Sequence, residues 1–546
     1  MMMFAPTRHR CNTMHAPMSQ RAAHRGSVVV VVVWAVAVAA VLVSATQIVT
    51  FRQAVVGRET LARVQARWAA RAGMEQMVAI MEFHLQNADP DDPMAVVRDM
   101  EEHATGTTAT GSWDIRHFLD GLEWAGPLDE GAKLNINVAT SVQLTNIPNM
   151  TPDVVDAIVD WRDADDNVQG LGAESDYYSN RSLGYKPRNG NFRSFAELEL
   201  VAGAWPLYVR GEDWNLNGRL DPNENDGNKS FPNDKPDGKL DGGWSKFLTA
   251  TSVQSPMSLS GENKLPLKGA DPESLTKRLG IDAEQAKALT TYGNQPNAKP
   301  EALIATPLSQ LSAGGTGGSS GTGGTGGARG STGGKTGGST SGGGSTSGGR
   351  GTGGGGGGSS GGMSVSTSGG AQTVSGGAAG GRGSTSAGGS SSAGGGSSGR
   401  SSSGRSSGGT TGASAVADLT NAQLRAVLRE TTADDFTKPV PGRMNINTVP
   451  DSVLKEVLEI DPRLADAIIA RRRAKPEGIT SLADLSDMSG INPTVLTQLA
   501  TQFDVTSSVY TVTSRGRAAT TGAEVEIEAV VDKSQLPAKI ISYREQ

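Results

Sequence analysis

Cysteine and histidine are almost absent from this sequence of 546 residues. The single cysteine is Cys11, and none of the six histidines lies beyond His117. More than three quarters of the chain therefore has neither a thiol nor an imidazole. This excludes Cys/His zinc sites, cysteine nucleophiles and Ser–His triads from that part of the chain. The sequence also has no Walker A pattern, so the composition argues against an enzyme.

Aromatic residues make up only 5% of the chain and charged residues only 19%, because glycine is so abundant, with 73 residues. Most of the glycine lies in residues 313–414, a run of Gly, Ser and Thr with six basic residues and no acidic one. A segment with so few apolar side chains cannot offset its ordering entropy, and we expect a disordered linker. The other 44 basic and 56 acidic residues give a net charge of −12. This acidity makes nucleic acid an unlikely partner.

The N-terminal region predicts a membrane anchor. Residues 1–26 are basic and contain no acid, and residues 28–45 form an unbroken apolar run. With its flanks, at 27–50, this run is long enough to cross a bilayer, and the preceding basic charge keeps the N-terminus cytoplasmic. The apolar pattern continues at helical spacing, so one long helix is predicted over 27–85.

An internal repeat occurs in the chain that follows the predicted membrane anchor. The segment Lys133-Leu-Asn-Ile-Asn137 returns as Arg443-Met-Asn-Ile-Asn447, and the apolar positions that follow match without a gap. A weaker copy begins near Leu265. Each copy indicates an extended entry, a helix, a tight turn and a second helix, which is a helix-hairpin-helix pattern. We expect units at 138–252, 253–312 and 415–502.

The second helices are predicted at Asp153–Arg162 and Pro462–Arg473, and further helix starts are expected at Ser194 and Ser481. Arginines 471–473 favour a solvated helix end over a DNA-binding patch.

A complete calcium-loop pattern lies within the first unit. Its side-chain oxygens occupy positions 1, 3, 5, 9 and 12, a backbone carbonyl occupies position 7, and Gly218 provides the sharp turn. The ligands are Asp213, Asn215, Asn217, Arg219 through its carbonyl, Asp221 and Glu224. Pro222 and the Asn/Gly run after Glu224 argue against a second flanking helix. Asp237 and Asp241 form half of a second loop, which could equally be a solvated turn.

Several strings identify a resemblance. His24-Arg25-Gly26 before the apolar run is similar to the leader of type IV pilins and pseudopilins, with cleavage before Ser27. Asp129–Asn137, Asp160–Asp166, Gly172–Tyr178 and Tyr185–Asn189 resemble protein K of the type II secretion system. Val31 stands where most pilins carry glutamate, and the lack of this glutamate is itself typical of protein K. An uncut signal anchor is the alternative.

The resemblance implies an α+β fold. A pilin-like long N-terminal helix packs on a small antiparallel sheet from residues 104–137 and 503–546, with a large inserted helix-hairpin-helix (SAM-like) region. Strands are expected at Val509–Thr513, Val525–Val531 and Ile540–Tyr543. The resemblance also suggests a second structural calcium site, with the candidate ligands Asp163, Asp165, Asp166, Glu174 and Asp176.

The function implied is that of a minor pseudopilin of type II secretion that caps the pseudopilus tip and helps to initiate its assembly. The protein would be single-pass in the bacterial inner membrane, with its bulk in the periplasm. Its expected partners are other minor pseudopilins, the prepilin peptidase and the assembly platform. Two alternatives stay open: a membrane-anchored DNA-uptake receptor that uses the helix-hairpin-helix units, and a hydrolase that uses paired carboxylates.

Overall fold

The computed structural model describes residues 25–181, 184–313, 416–458 and 460–546. Most of the expected leader and nearly all of the expected linker lie outside the described residues. The helices are α1 Arg25–Gln86, α2 Ala95–Glu102, α3 Ser141–Thr145, α4 Pro152–Arg162, α5 Ser175–Ser179, α6 Pro206–Arg210, α7 Pro272–Leu279, α8 Ala283–Gly293, α9 Ala302–Ala305, α10 Leu308–Ala313, α11 Asn421–Glu430, α12 Pro462–Arg473 and α13 Pro493–Gln502.

The strands are mostly short. They are β1 Thr105–Thr108, β2 Gly111–Leu119, β3 Leu122–Ala125, β4 Leu128–Asp129, β5 Leu134–Asn135, β6 Leu248–Thr249, β7 Leu265–Pro266, β8 Thr431–Thr432, β9 Met444–Asn445, β10 Phe503–Asp504, β11 Val509–Ala518, β12 Glu524–Asp532 and β13 Lys539–Glu545.

Helix α1 confirms the expected long N-terminal helix, and neither Gly57 nor Gly73 breaks it. Its first part is apolar and exposed all round, and in the described part of the chain it is the one helix long and apolar enough to cross a membrane. From Ala62 onward one side of the helix is buried, while Arg63 and Trp68 on the other sides remain exposed. The change from all-round exposure to one-sided burial marks where the helix meets the rest of the fold.

Seven antiparallel strands form the sheet on which α1 packs. The order is β1-β2-β11-β12-β13, with β3 pairing with β2 and β4 pairing with β11. The three expected C-terminal strands are present, and each is longer than expected. Two expected parts of this sheet lie elsewhere, because β5 pairs with β6 and β10 pairs with β9.

The helix and the sheet approach each other closely. Any Cβ at Gly516 of β11 would clash with the backbone of α1 at Ala66, so glycine is required there. The core between the helices and the sheet consists of apolar side chains: Met74, Met77 and Met81 of α1, Met100 of α2, and Ile115, Tyr510, Val512 and Ile527 of the sheet. Burial of this apolar surface fixes the sheet against the helix.

Each helical unit is closed by a two-stranded parallel pair. The entry strand pairs with a strand at the end of the same unit: β5 with β6, β7 with β8 and β9 with β10. The units therefore run over 134–249, 265–432 and 444–504. The expected boundary between the second and third units was wrong, since α11 and β8 belong to the second.

The linker consequently interrupts the second unit and does not join two units. Val427 of α11 lies in one apolar core with Leu275 and Leu289 of the second unit. The ends of the interruption are tied together, because the Ser309 amide donates to Asp418 Oδ1 at 3.1 Å. The first and third units share a separate core that includes Ile158 and Ile468.

The repeated asparagines and arginines form a common framework. Asn137 exchanges two hydrogen bonds with the backbone of Phe192, and Asn447 does the same with Ile479. Arg162 donates to the carbonyls of Ile136 and Ala139. These bonds hold the entry strand of a unit against its second helix.

Arg472 repeats the role of Arg162 in the third unit. It donates to the carbonyls of Ile446 at 3.0 Å and Val449 at 2.6 Å. The expectation of three solvated arginines was therefore wrong for Arg472, whose side chain is only 9% exposed. Arg471 and Arg473 are exposed, at 47% and 65%.

The elements after the second helices differ in detail from those expected. At Phe195–Leu200 and Leu482–Leu485 the structure has 3₁₀ turns. Ser481 caps its turn by accepting a hydrogen bond from the Ala483 amide, whereas Ser194 makes no capping bond.

Candidate metal centre

Helix α4 brings the first carboxylates together. Pro152 occupies its first turn, where a missing amide proton costs nothing, and Val154, Ala157 and Ile158 bury one face. Asp160 and Asp163 lie three residues apart at its C-terminal end, so they point to the same side. Asp160 is fully buried and accepts a hydrogen bond from the Gln169 amide at 3.1 Å.

Glu174 completes a group of three carboxylates. One oxygen each from Asp160, Asp163 and Glu174 lies within 4.8 Å of the other two. Glu174 is 3% exposed, and neither of its oxygens has a hydrogen-bond partner. Asp163 Oδ1 is also buried without a partner. Among the described residues, no basic side chain forms an ion pair with any of the three.

The electrostatics of these three carboxylates favour binding of a cation. Burial, together with the neighbouring Asp160 and Asp163 carboxylates, raises the pKa of Glu174 to about 7. Burial also raises the pKa of Asp160. Buried carboxylates without partners are costly unless they bind a proton or a metal ion. A set made only of oxygen ligands suits calcium, which takes about 6–8 oxygens including water.

The structure unites only part of the predicted second site. Asp163 and Glu174 come together, whereas Asp165 accepts hydrogen bonds from Asn167 and Asp166 accepts one from the Ser175 amide. The bonds from Ser175 lower the pKa of Asp166. Asp176 is exposed in α5. These three side chains lie outside the converging group.

Asp160 was not among the predicted ligands. The available signal was its spacing of three residues from Asp163 across the end of a predicted helix, which places both carboxylates on one side.

The 213–224 loop is folded around its acidic ends. Asp213 accepts hydrogen bonds from the amides of Asn217 and Gly218, both at 3.0 Å. Glu224 accepts from the amides of Trp214 at 3.0 Å and Asp221 at 3.1 Å. Gly218 has a φ of 66°, as the sharp turn requires.

Asp213 and Glu224 are buried at 3% and 1% exposure, and no described side chain forms an ion pair with either. Burial raises the pKa of Asp213 to about 6, and burial with the nearby carboxylates of Asp213 and Asp221 raises that of Glu224 to about 7. These two carboxylates therefore fit a calcium site.

The other predicted ligands surround this pair. Asn215 and Asn217 each donate a side-chain hydrogen bond to Asp221 Oδ2, at 2.9 and 3.0 Å. The amide of Arg219 donates to Asn217 Oδ1 at 2.8 Å. The three carboxylates of this loop converge less closely than Asp160, Asp163 and Glu174. The loop itself ends in a 3₁₀ turn, Pro222–Glu224.

The half loop at Asp237 and Asp241 is organised differently. Asp237 Oδ1 accepts the amide of Lys239, two residues on, and the Asp241 amide donates to Glu212 Oε2. Glu212 also accepts the Lys235 amide. Among the described residues, Asp237, Asp241 and Glu212 do not form a converging group, and this segment is a turn held by the Glu212 carboxylate.

The predicted cleavage point lies at the start of α1. Gly26 and Ser27 are within the helix, which begins at Arg25, and residues 1–24 are outside the described part. Beyond the membrane span, α1 exposes large apolar side chains: Leu61 at 58%, Trp68 at 60% and Phe83 at 57%. These side chains leave α1 a surface that could pack against other helices.

Comparison with known proteins gives two family matches. Residues 134–210, which include Asp160, Asp163 and Glu174, match the family described as type II secretion system (T2SS), protein K. Residues 442–504 match the helix-hairpin-helix motif. No curated protein matches the chain.

A solved structure is also similar to this chain. It is the GspK-GspI-GspJ complex from the type 2 secretion system of enterotoxigenic Escherichia coli, with 10% sequence identity and a TM-score of 0.35. The match covers 88% of this chain and 96% of the other.

Proposed function

We propose that this chain, a member of the type II secretion system protein K family through residues 134–210, is a minor pseudopilin that caps the pseudopilus. The observation that carries the proposal is the family match inside a head built on a membrane-length helix and an antiparallel sheet. Other minor pseudopilins would pack on the exposed apolar side chains of α1, in the membrane and above it.

The head supports a tip position. Besides the sheet, the described part of the chain carries three helical units, and such bulk would obstruct a further subunit above it. Val31 fits a first subunit, since no preceding N-terminus would need an acidic neighbour at that position. By this proposal the chain also helps to start assembly, together with the prepilin peptidase and the assembly platform. It spans the bacterial inner membrane once, with its N-terminus cytoplasmic and its bulk periplasmic.

N-terminal mass spectrometry of the membrane-extracted protein tests this proposal. The expected mature chain starts at Ser27. Gly26→Glu should block cleavage, whereas Gly57→Ala, farther along the same helix with open space at its Cβ position, should be cleaved normally. A wild-type chain that retains residues 1–26 would contradict the pseudopilin proposal and favour an uncut anchor.

We also propose that calcium braces the first unit at Asp160–Asp163–Glu174 and at the 213–224 loop. The support is twofold: the buried carboxylate oxygens of Glu174 have no hydrogen-bond partner among the described residues, and no described basic side chain forms an ion pair with the buried carboxylates of Asp213 and Glu224. Calcium here would be structural: it would neutralise these carboxylates and fix two loops that contain no disulfide.

Thermal unfolding with calcium and with chelator tests the first of these sites. Calcium should raise Tm, and Glu174→Gln should remove a large part of that rise. The matched control is Asp176→Asn, since Asp176 is exposed two residues away, outside the converging group. Equal calcium effects in wild type and Glu174→Gln would contradict this site.

DNA binding remains the alternative because residues 442–504 match the helix-hairpin-helix motif. Against DNA binding, Arg472 already donates to backbone carbonyls of its own unit. Arg471 and Arg473 form ion pairs with Asp487 and Asp451. We expect no shift of duplex DNA in gels at low or moderate salt. Binding that weakens steeply as salt rises would favour the DNA-uptake receptor.

A further inference from the structure

One side of the 213–224 loop lies against the sheet face opposite α1. Strand β11 turns Tyr510 and Val512 toward the helix, so Thr511, Thr513 and Arg515 face the other way. The buried hydroxyl of Thr513 donates to the Asn217 carbonyl at 3.0 Å. The Phe118 amide of β2 donates to the Gly218 carbonyl at 2.8 Å.

Loop side chains reinforce this attachment. Asn217 Nδ2 donates to Glu526 Oε1 of β12 at 2.8 Å. Arg219, 6% exposed, donates to both the carbonyl and the carboxylate of Asp114 in β2, at 3.2 and 3.1 Å. Consecutive loop residues are therefore held by three neighbouring strands of the sheet, β2, β11 and β12.

A third contact reaches a loop carboxylate. Arg515 of β11 donates to Asp221 Oδ1 at 2.6 Å, and Glu526 holds the same guanidinium at 2.8 Å. Asp221 Oδ2 already accepts from Asn215 and Asn217. The orientation of this carboxylate is thus set partly by a residue almost 300 positions away in the chain.

We propose that the sheet is part of the 213–224 metal site, with Thr513 and Arg515 as positioning residues, so that metal binding and attachment of the loop to the sheet are coupled. The inference rests on the proposed calcium function of this loop. Hydrogen bonds from the sheet fix the backbone at Asn217 and Gly218, directly before the Arg219 carbonyl. Because coupling is reciprocal, calcium must in turn tighten the contact between loop and sheet.

Thr513→Val tests this coupling without changing any charge. It removes the hydroxyl that holds Asn217 and nearly preserves the side-chain shape. We expect calcium affinity at the loop to fall about fivefold, the effect of one neutral hydrogen bond. Thr513→Ser should restore it. The control is Thr511→Val, two residues away on the same face, because Thr511 donates to Glu130 and not to the loop.

Isothermal titration of the detergent-solubilised full chain with calcium gives the affinities, and Glu224→Gln identifies which binding step belongs to the loop. Hydrogen exchange of the β2 peptide containing Phe118 gives the second readout. Calcium should slow this exchange in wild type and in Thr511→Val. In Thr513→Val the factor by which calcium slows the exchange should be about fivefold smaller.

The outcomes separate the two claims. If no binding step depends on Glu224, the metal site at this loop is wrong, and the coupling with it. If a Glu224-dependent step exists but Thr513→Val binds calcium and protects Phe118 like wild type, the site stands and the coupling is overturned.

Discussion

The first and third helical units share a framework but not a site. Asn137 and Arg162 of the first unit make the same bonds as Asn447 and Arg472 of the third, 310 residues later. Yet Ala470 and Arg473 stand in the third unit where the first has Asp160 and Asp163. One scaffold therefore occurs once with a converging carboxylate group and once without it.

The third carboxylate comes from additional chain. Phe192 follows its framework partner Asn137 by 55 residues, whereas Ile479 follows Asn447 by only 32. Glu174 lies within the longer connection of the first unit. The comparison shows that the framework arginine and asparagine belong to the fold of a unit, whereas the converging carboxylates of the first unit lie on a helix end and a longer loop.

Replacing the framework arginines should have the largest effect. Arg162→Met and Arg472→Met should each lower the free energy of unfolding by about 2–4 kcal/mol, because each leaves two buried carbonyls without a donor. Chemical denaturation of the detergent-solubilised protein measures this. Arg473→Met, which removes only an exposed ion pair, should change stability by less than about 0.5 kcal/mol. Similar losses in all three variants would refute a shared framework.

The pH dependence should separate the first unit from the third. In metal-free protein the folded-state pKa values of Glu174 and Glu224 are about 7 and that of Asp213 is about 6, all above their unfolded values. Between about pH 4.5 and 7 the folded state therefore binds more protons than the unfolded state, and stability falls as pH rises.

We expect the metal-free protein to lose about 1–3 kcal/mol of unfolding free energy between pH 5 and 7.5, and calcium to reverse this loss at pH 7.5. The described part of 444–504 contains no converging group of carboxylates, so hydrogen exchange there should change little. Equal pH responses in the two units would remove the distinction between them.

The smallest effect should come from shortening the linker that interrupts the second unit. This interruption begins and ends at segments already tied by Ser309 and Asp418. Deleting residues 340–390, about half of it, should stabilise the protein by about 0.6 kcal/mol, the closure entropy of one halving. A clear loss of stability by chemical denaturation would show that the linker makes contacts the fold needs.

Local signals predicted much of this fold. The helical spacing of apolar residues gave α1, and the repeated Asn-Ile-Asn segments located the entry strands β5 and β9. The parallel pairs that close the units were not predictable in this way, because β5 and β6 lie more than 110 residues apart and are only two residues long. The place of α11 is not predictable from local signals either, because the Gly/Ser run before it indicates a boundary between units.

The sites followed the same pattern. The calcium-loop pattern at 213–224 is predictable from its spacing alone, since all its predicted ligands are local. Asp160 was missed because its role depends on how the chain after α4 returns to bring Glu174 beside it. Arg472 was misjudged because a run of three arginines gives no sign of which one is buried.

Native mass spectrometry of the full-length protein in detergent, with and without calcium, tests most directly the claim that metal braces the first unit. Wild type should carry two calcium ions, Glu174→Gln and Glu224→Gln should each carry one, and the double variant should carry none. A wild-type mass that does not change with calcium, or a double variant that still carries both ions, would contradict it.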